Sequence, residues 1–133
     1  LRLHQPGLAI WGRGQADWSD MNPLAGAPGR VAPRQVVTAH GHFHEEATPP
    51  MRSWLLTNEE FNAVEADTIA LGHWDKPQAV GDGSKPVFYS GSPYFWGTVN
   101  TIRFIGDAKP VVARVPVEGG AAEGAVLKGR IVA

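Results

Sequence analysis

The chain has 133 residues, a formal net charge of −1 and no cysteine. That length fits one small domain with one core. The composition excludes disulfides and thiolate metal sites, leaving His, Asp and Glu as candidate ligands. It also shows no basic stripe of the kind that holds nucleic-acid phosphates. The 16 glycines and 11 prolines point to many turns and short strands rather than long helices. No apolar run approaches the ~18 residues of a membrane span, and no signal peptide is visible. The expectation is a cytoplasmic chain with no membrane partner.

Residues 8–11 form a short apolar run between Gly7 and Gly12 and read as a strand. Residues 14–33 are rich in Gly and Pro, include Asp17, Trp18 and Asp20, and read as a long loop. Loops of that length need anchors, and Trp18 and Leu24 are the candidates. Residues 36–39 are a strand leading into His40, His42 and His44, and residues 45–52, with Pro49 and Pro50, are another loop. Thr57-Asn-Glu-Glu60 has the form of a capping box. It predicts a helix over 58–65 that packs Phe61 and Val64 on a sheet.

Residues 68–71 form an apolar strand that ends at Gly72, with His73 directly after it. From Pro77 onward the pattern is β. Strands are expected at 78–80, 87–90, 98–105, 111–117 and 126–132, with 106–110 as a hairpin connection and 119–124 as a soft linker. The fold class expected is α/β of the strand-rich α+β kind, a mixed sheet with one short helix in a single domain over residues 1–133.

The chemistry concentrates on a few side chains. Gly72 lets the backbone turn sharply or approach a bound group closely, and it places His73 on the rigid end of a strand. His40 follows an apolar strand in the same way. Asp75 lies two residues past His73. Imidazoles and carboxylates presented from strand ends are common metal ligands. Asp75 is either a ligand suited to Mn²⁺ or Mg²⁺ or a surface acid beside Lys76. His40, His42 and His44 alternate, so a continuing strand would put all three rings on one face. His42 and His44 are nevertheless read as solvated loop residues. Lys76 and Arg13 are read as surface cations rather than phosphate contacts. Trp74 is expected to pack beneath the loop, and Pro93-Tyr-Phe-Trp96 to cap a sheet edge.

The run Asp67-Thr-Ile-Ala-Leu-Gly-His-Trp-Asp-Lys-Pro-Gln78 resembles the last metal-binding motif of the calcineurin-like metallophosphoesterases, in their DNA-repair exonuclease-like branch. The matching residues are Asp67, Ile69, Ala70, Leu71, Gly72, His73, Lys76, Pro77 and Gln78. Asp75 departs from the family pattern, which has histidine there. Val87-Phe-Tyr-Ser-Gly-Ser-Pro93 resembles the strand and turn that follow. Gln35-Val-Val-Thr-Ala-His40-Gly41 resembles the preceding motif, a strand ending in a ligand histidine. The similarity runs from about Gly7 to Pro116.

The resemblance implies a two-sheet sandwich and a metal-dependent hydrolase in which metal-bound hydroxide attacks a phosphoester. His40, His73 and Asp75 would be metal ligands, the metal Mn, with Mg, Zn or Fe as alternatives. The substrate would be a phosphoester, with nucleic acid as one candidate. No aspartate here is followed two residues later by histidine, and no asparagine is followed by histidine, so the family's earlier Asp-x-His and Gly-Asn-His motifs are not found. The chain is therefore expected to be the C-terminal half of such an enzyme, inactive alone, and completed by the N-terminal half or by homo-oligomerisation. The alternative is a non-catalytic β-rich interaction module derived from that fold.

Overall fold

Buried parallel strands carry near-continuous apolar runs, and three runs of this chain, at 36–39, 68–71 and 87–89, have that character. The computed structural model describes residues 2–5, 7–16, 21–43 and 53–117. In chain order the elements are β1 (Arg2–Gln5), β2 (Leu8–Gly12), β3 (Arg34–His40), β4 (His42–Phe43), β5 (Leu55–Leu56) and α1 (Asn58–Ala63). Then follow β6 (Thr68–Gly72), β7 (Gln78–Val80), β8 (Val87–Tyr89), α2 (Pro93–Trp96), β9 (Thr98–Arg103) and β10 (Val111–Pro116). The fold is strand-rich α+β with a mixed sheet and short helices.

Among the described residues, six strands form one sheet in the order β1-β2-β3-β6-β8-β7. The central strands β2, β3, β6 and β8 run parallel. The edge strands β1 and β7 pair antiparallel with their neighbours. Val37, Ile69, Leu71, Val87 and Tyr89 share one face of the sheet and are buried in the core, whereas Thr38, His40 and Gly72 on the opposite face are exposed. β4 and β5 make a short parallel pair, and β9 and β10 an antiparallel hairpin.

The capping box forms as the sequence predicts. Thr57 Oγ1 accepts the N–H of Glu60 at 3.2 Å, and Glu60 Oε2 accepts the N–H of Thr57 at 2.9 Å. α1 stops at Ala63 because Val64 turns to extended backbone. Val64 and Ala66 then bury themselves on the way into β6. Phe61 is buried with its ring 5.3 Å from that of Phe43.

The long loop is anchored by Leu24, which is buried, and by Gln35, which is fully enclosed. The Gln35 amide donates to the Glu65 carbonyl at 2.6 Å and accepts the N–H of Val31 at 3.0 Å. At the start of β6, Asp67 takes a two-pronged contact from Arg30 at 3.0 and 3.2 Å and the N–H of Gln35 at 2.7 Å. Asp67 thus fastens the loop at the end of β6 opposite His73.

Three expectations need correction. Among the described residues there are two short helices, because Pro93 opens α2 and Gly97 closes it in the left-handed region at φ 60°. The aromatic residues of α2 do not close over the sheet edge. Tyr94, Phe95 and Trp96 are 56%, 70% and 44% exposed. β1, β4 and β5 were not foreseen. Trp18, His44, the loop at 45–52, the linker at 119–124 and the strand at 126–132 lie outside the described residues. Among the described residues, no helix is long and apolar enough to cross a membrane.

Candidate metal centre

The parallel strands β2, β3 and β6 all end at one edge of the sheet. Crevices at the carboxyl ends of such strands are where open α/β sheets bind ligands. β3 and β6 are neighbours in a register that pairs His40 with Gly72. His73 therefore leaves β6 one residue past the level of His40. A side chain at Gly72 would place its Cβ 3.2 Å from Nδ1 of His40, so the glycine leaves room for that ring.

The segment after β3 is fixed from two sides. The N–H of His42 donates to the Trp54 carbonyl at 2.8 Å. The buried Tyr89 hydroxyl donates to the Gly41 carbonyl at 2.8 Å and accepts the N–H of Phe43 at 2.9 Å. Burial pushes the Tyr89 phenol up to about 12, so it stays neutral and keeps its proton to donate. These bonds turn the chain so that His42 faces His73.

His73 contacts both other histidines. Nδ1 of His42 lies 3.2 Å from Nε2 of His73. The His40 and His73 rings meet edge to face with centroids 5.5 Å apart, and those of His42 and His73 at 5.3 Å. Trp74 lies against His42 at 5.1 Å and meets Tyr89 at 6.5 Å. It remains 40% exposed, so it walls the site rather than underlying it. His73 has φ 124°. Such backbone costs a non-glycine residue about 1–3 kcal/mol and clusters at functional sites.

Burial lowers the His73 pKa, and the neighbouring His42 and His40 lower it further against an opposing pull from Asp75. The ring is neutral at neutral pH, which is the form that binds metal. The donor set fits a divalent ion in part. Two nitrogens each ~2.0–2.1 Å from one ion lie roughly 2.9–3.4 Å apart when their bonds meet at right or tetrahedral angles, and the His42–His73 separation falls in that range. The same separation also suits an N–H···N bond between neutral rings. Among the described residues, no three His, Asp or Glu side chains close on a single ion position.

The structure brings His40 and His73 to neighbouring strand ends. Asp75 sits in the exposed turn beyond them, where its carbonyl accepts the N–H of Ser92 at 2.7 Å. The reading of His42 as a solvated loop residue is corrected. Its alternation with His40 was the signal that could have found it. Tyr89 gave no such signal, because a buried tyrosine in an apolar strand looks like core. Comparison of the chain with known protein families, curated proteins and solved structures finds no match.

Proposed function

We propose that this chain supplies the imidazole side of a divalent-metal centre in a metal-dependent phosphoesterase. The observation that supports it most is the 3.2 Å approach of His42 Nδ1 to His73 Nε2 at the carboxyl edge of the parallel strands. His40 and His73, with His42 added, would hold the ion, and Asp75 would join from the turn. Manganese is the favoured metal, with Mg, Zn or Fe as alternatives. When bound, the ion would polarise a phosphoryl oxygen and activate water.

The chain's own residues orient the ligands. Tyr89 fixes the His42 segment, Gly72 admits the His40 ring, and the Trp74 wall limits access of water from one side. Histidines alone make a weak site for hard cations, which prefer carboxylates. We infer that further carboxylates come from a partner chain, either a second copy or a separate half. The isolated chain is then inactive. The substrate is a phosphoester, with nucleic acid one candidate, and cysteine-free composition fits a cytoplasmic setting.

A second reading is a β-rich interaction module. The exposed Tyr94, Phe95 and Trp96 favour it. Calorimetric titration of Mn²⁺ and Zn²⁺ into the wild type and the His40→Ala, His42→Ala and His73→Ala variants separates the two. The metal-centre reading expects binding that weakens in all three. Wild-type affinity no greater than that of His73→Ala favours the module.

A further inference from the structure

Beside the histidines, the ends of β2, β3 and β6 border a pocket of about 620 Å³. His40, Thr38 and Gly72 line it, and so does Arg13, the one Arg, Lys, Asp or Glu in the lining among the described residues. Arg13 follows Gly12 directly, so β2 delivers it to the same sheet edge on which β3 delivers His40. Neighbouring strands lie ~4.8 Å apart. The end of β2 is therefore one strand spacing from the end of β3 and two from that of β6.

The state of the guanidinium matters more than its position. Its Nη1 donates to the carbonyls of Asn22 and Ala25, each at 3.5 Å, the outer limit of a hydrogen bond. No carboxylate pairs with Arg13 among the described residues. Carbonyl acceptors orient the group without neutralising it. Nη2 and Nε have no partner among the described residues. Arg30, by contrast, pairs with the Asp67 carboxylate at 3.0 Å.

A guanidinium held by carbonyls, with no carboxylate partner among the described residues, is suited to an oxyanion, because its planar fork matches phosphate oxygens. With a formal net charge of −1, the chain exerts no general pull on anions, so recognition has to be local. We propose that Arg13 binds a phosphate group in this pocket, and that this phosphate belongs to a phosphoester presented to His40 and His73. The second clause rests on the phosphoesterase reading above.

Inorganic phosphate titrated into chelator-treated protein tests the site, with the backbone amides followed by ¹⁵N NMR. The expected result is shifts at Gly12, Gly14, Thr38 and Gly72. Affinity should fall about tenfold or more in Arg13→Gln, with partial recovery in Arg13→Lys, which keeps charge but loses the fork. Equal affinity in wild type and Arg13→Gln overturns the proposal. The wild-type titration stands by itself should the variant not fold, since no shift at those four amides overturns it too. The two readings fail separately. Phosphate at Arg13 with no metal at the histidines upholds the anion site and removes the phosphoesterase. Metal at the histidines with no phosphate response removes Arg13 and leaves the metal centre.

Discussion

The Tyr89 hydroxyl donates to the Gly41 carbonyl at 2.8 Å, at the one residue that separates His40 from His42. A side chain of the central strand β8 thereby sets the position of a histidine carried by another sheet. Tyr89→Phe keeps the ring and its packing but removes this bond and the one from the Phe43 N–H. Two buried backbone groups then lose a partner, and the expected loss is about 1–3 kcal/mol. Urea unfolding measures it. Apparent Mn²⁺ affinity should fall as well, since His42 is released. A variant as stable as wild type and with the same affinity would show that the hydroxyl positions nothing.

The strained backbone at His73 can be read without the ring. His73→Ala and His73→Gly both remove the imidazole, but only glycine relaxes at φ 124°. The glycine variant should be more stable than the alanine variant by about 1 kcal/mol or more. Denaturant midpoints of the two decide it. Alanine equal to or better than glycine would mean that no strain is stored there.

Much of this fold is legible because its signals are local. The apolar runs of β3 and β6 and the Thr57–Glu60 box each specify structure within a few residues. The ends of elements were less legible. Val64 leaves the helix to bury itself toward β6, a tertiary demand that its helical spacing does not show. The site divides the same way. His40 and His73 stand at strand ends visible in the sequence. His42 reaches the site through bonds from Trp54 and Tyr89, which lie 12 and 47 residues away along the chain. Arg13 reads as a surface cation in the sequence because its place in one pocket with His40 is a fact of three dimensions. Asp67, part of the quoted motif, holds Arg30 at the end of the strand opposite His73.

The Asp67–Arg30 pair predicts a pH dependence. Burial works to raise the Asp67 pKa, but the Arg30 hydrogen bond, the Gln35 N–H and the charges of Arg30 and Arg34 outweigh it. The folded value therefore lies below the ordinary carboxylate value. The stabilisation is fully present above the unfolded pKa near ~3.9 and is lost as pH falls through the folded value. Arg30 is 42% exposed at its side chain, so the pair contributes no more than about 1 kcal/mol. Melting temperatures taken at descending pH should drop less steeply in Asp67→Asn than in wild type. Parallel acid limbs would remove the pair from the account.

Gly91 closes the turn that carries Asp75. It sits at φ 75°, and a Cβ there would lie 2.6 Å from the Asp75 carbonyl oxygen and 2.6 Å from Cδ of Pro77. That carbonyl also accepts the Ser92 N–H at 2.7 Å, so it has little freedom to withdraw. Gly83 supplies the control. Its φ of 84° is similar, yet nothing lies within 4 Å of its Cβ position. Both Gly→Ala changes carry the cost of a left-handed alanine, about 1 kcal/mol. Only Gly91→Ala adds the clash, so it should be the more destabilising by at least about 1 kcal/mol. It should also weaken Mn²⁺ binding if Asp75 is a ligand, because the turn has to open. Equal unfolding midpoints would mean that the turn yields freely and that Asp75 is not held in place by the β8–α2 connection. Unequal midpoints with unchanged Mn²⁺ affinity would keep the turn's structural role and strike Asp75 from the ligand set.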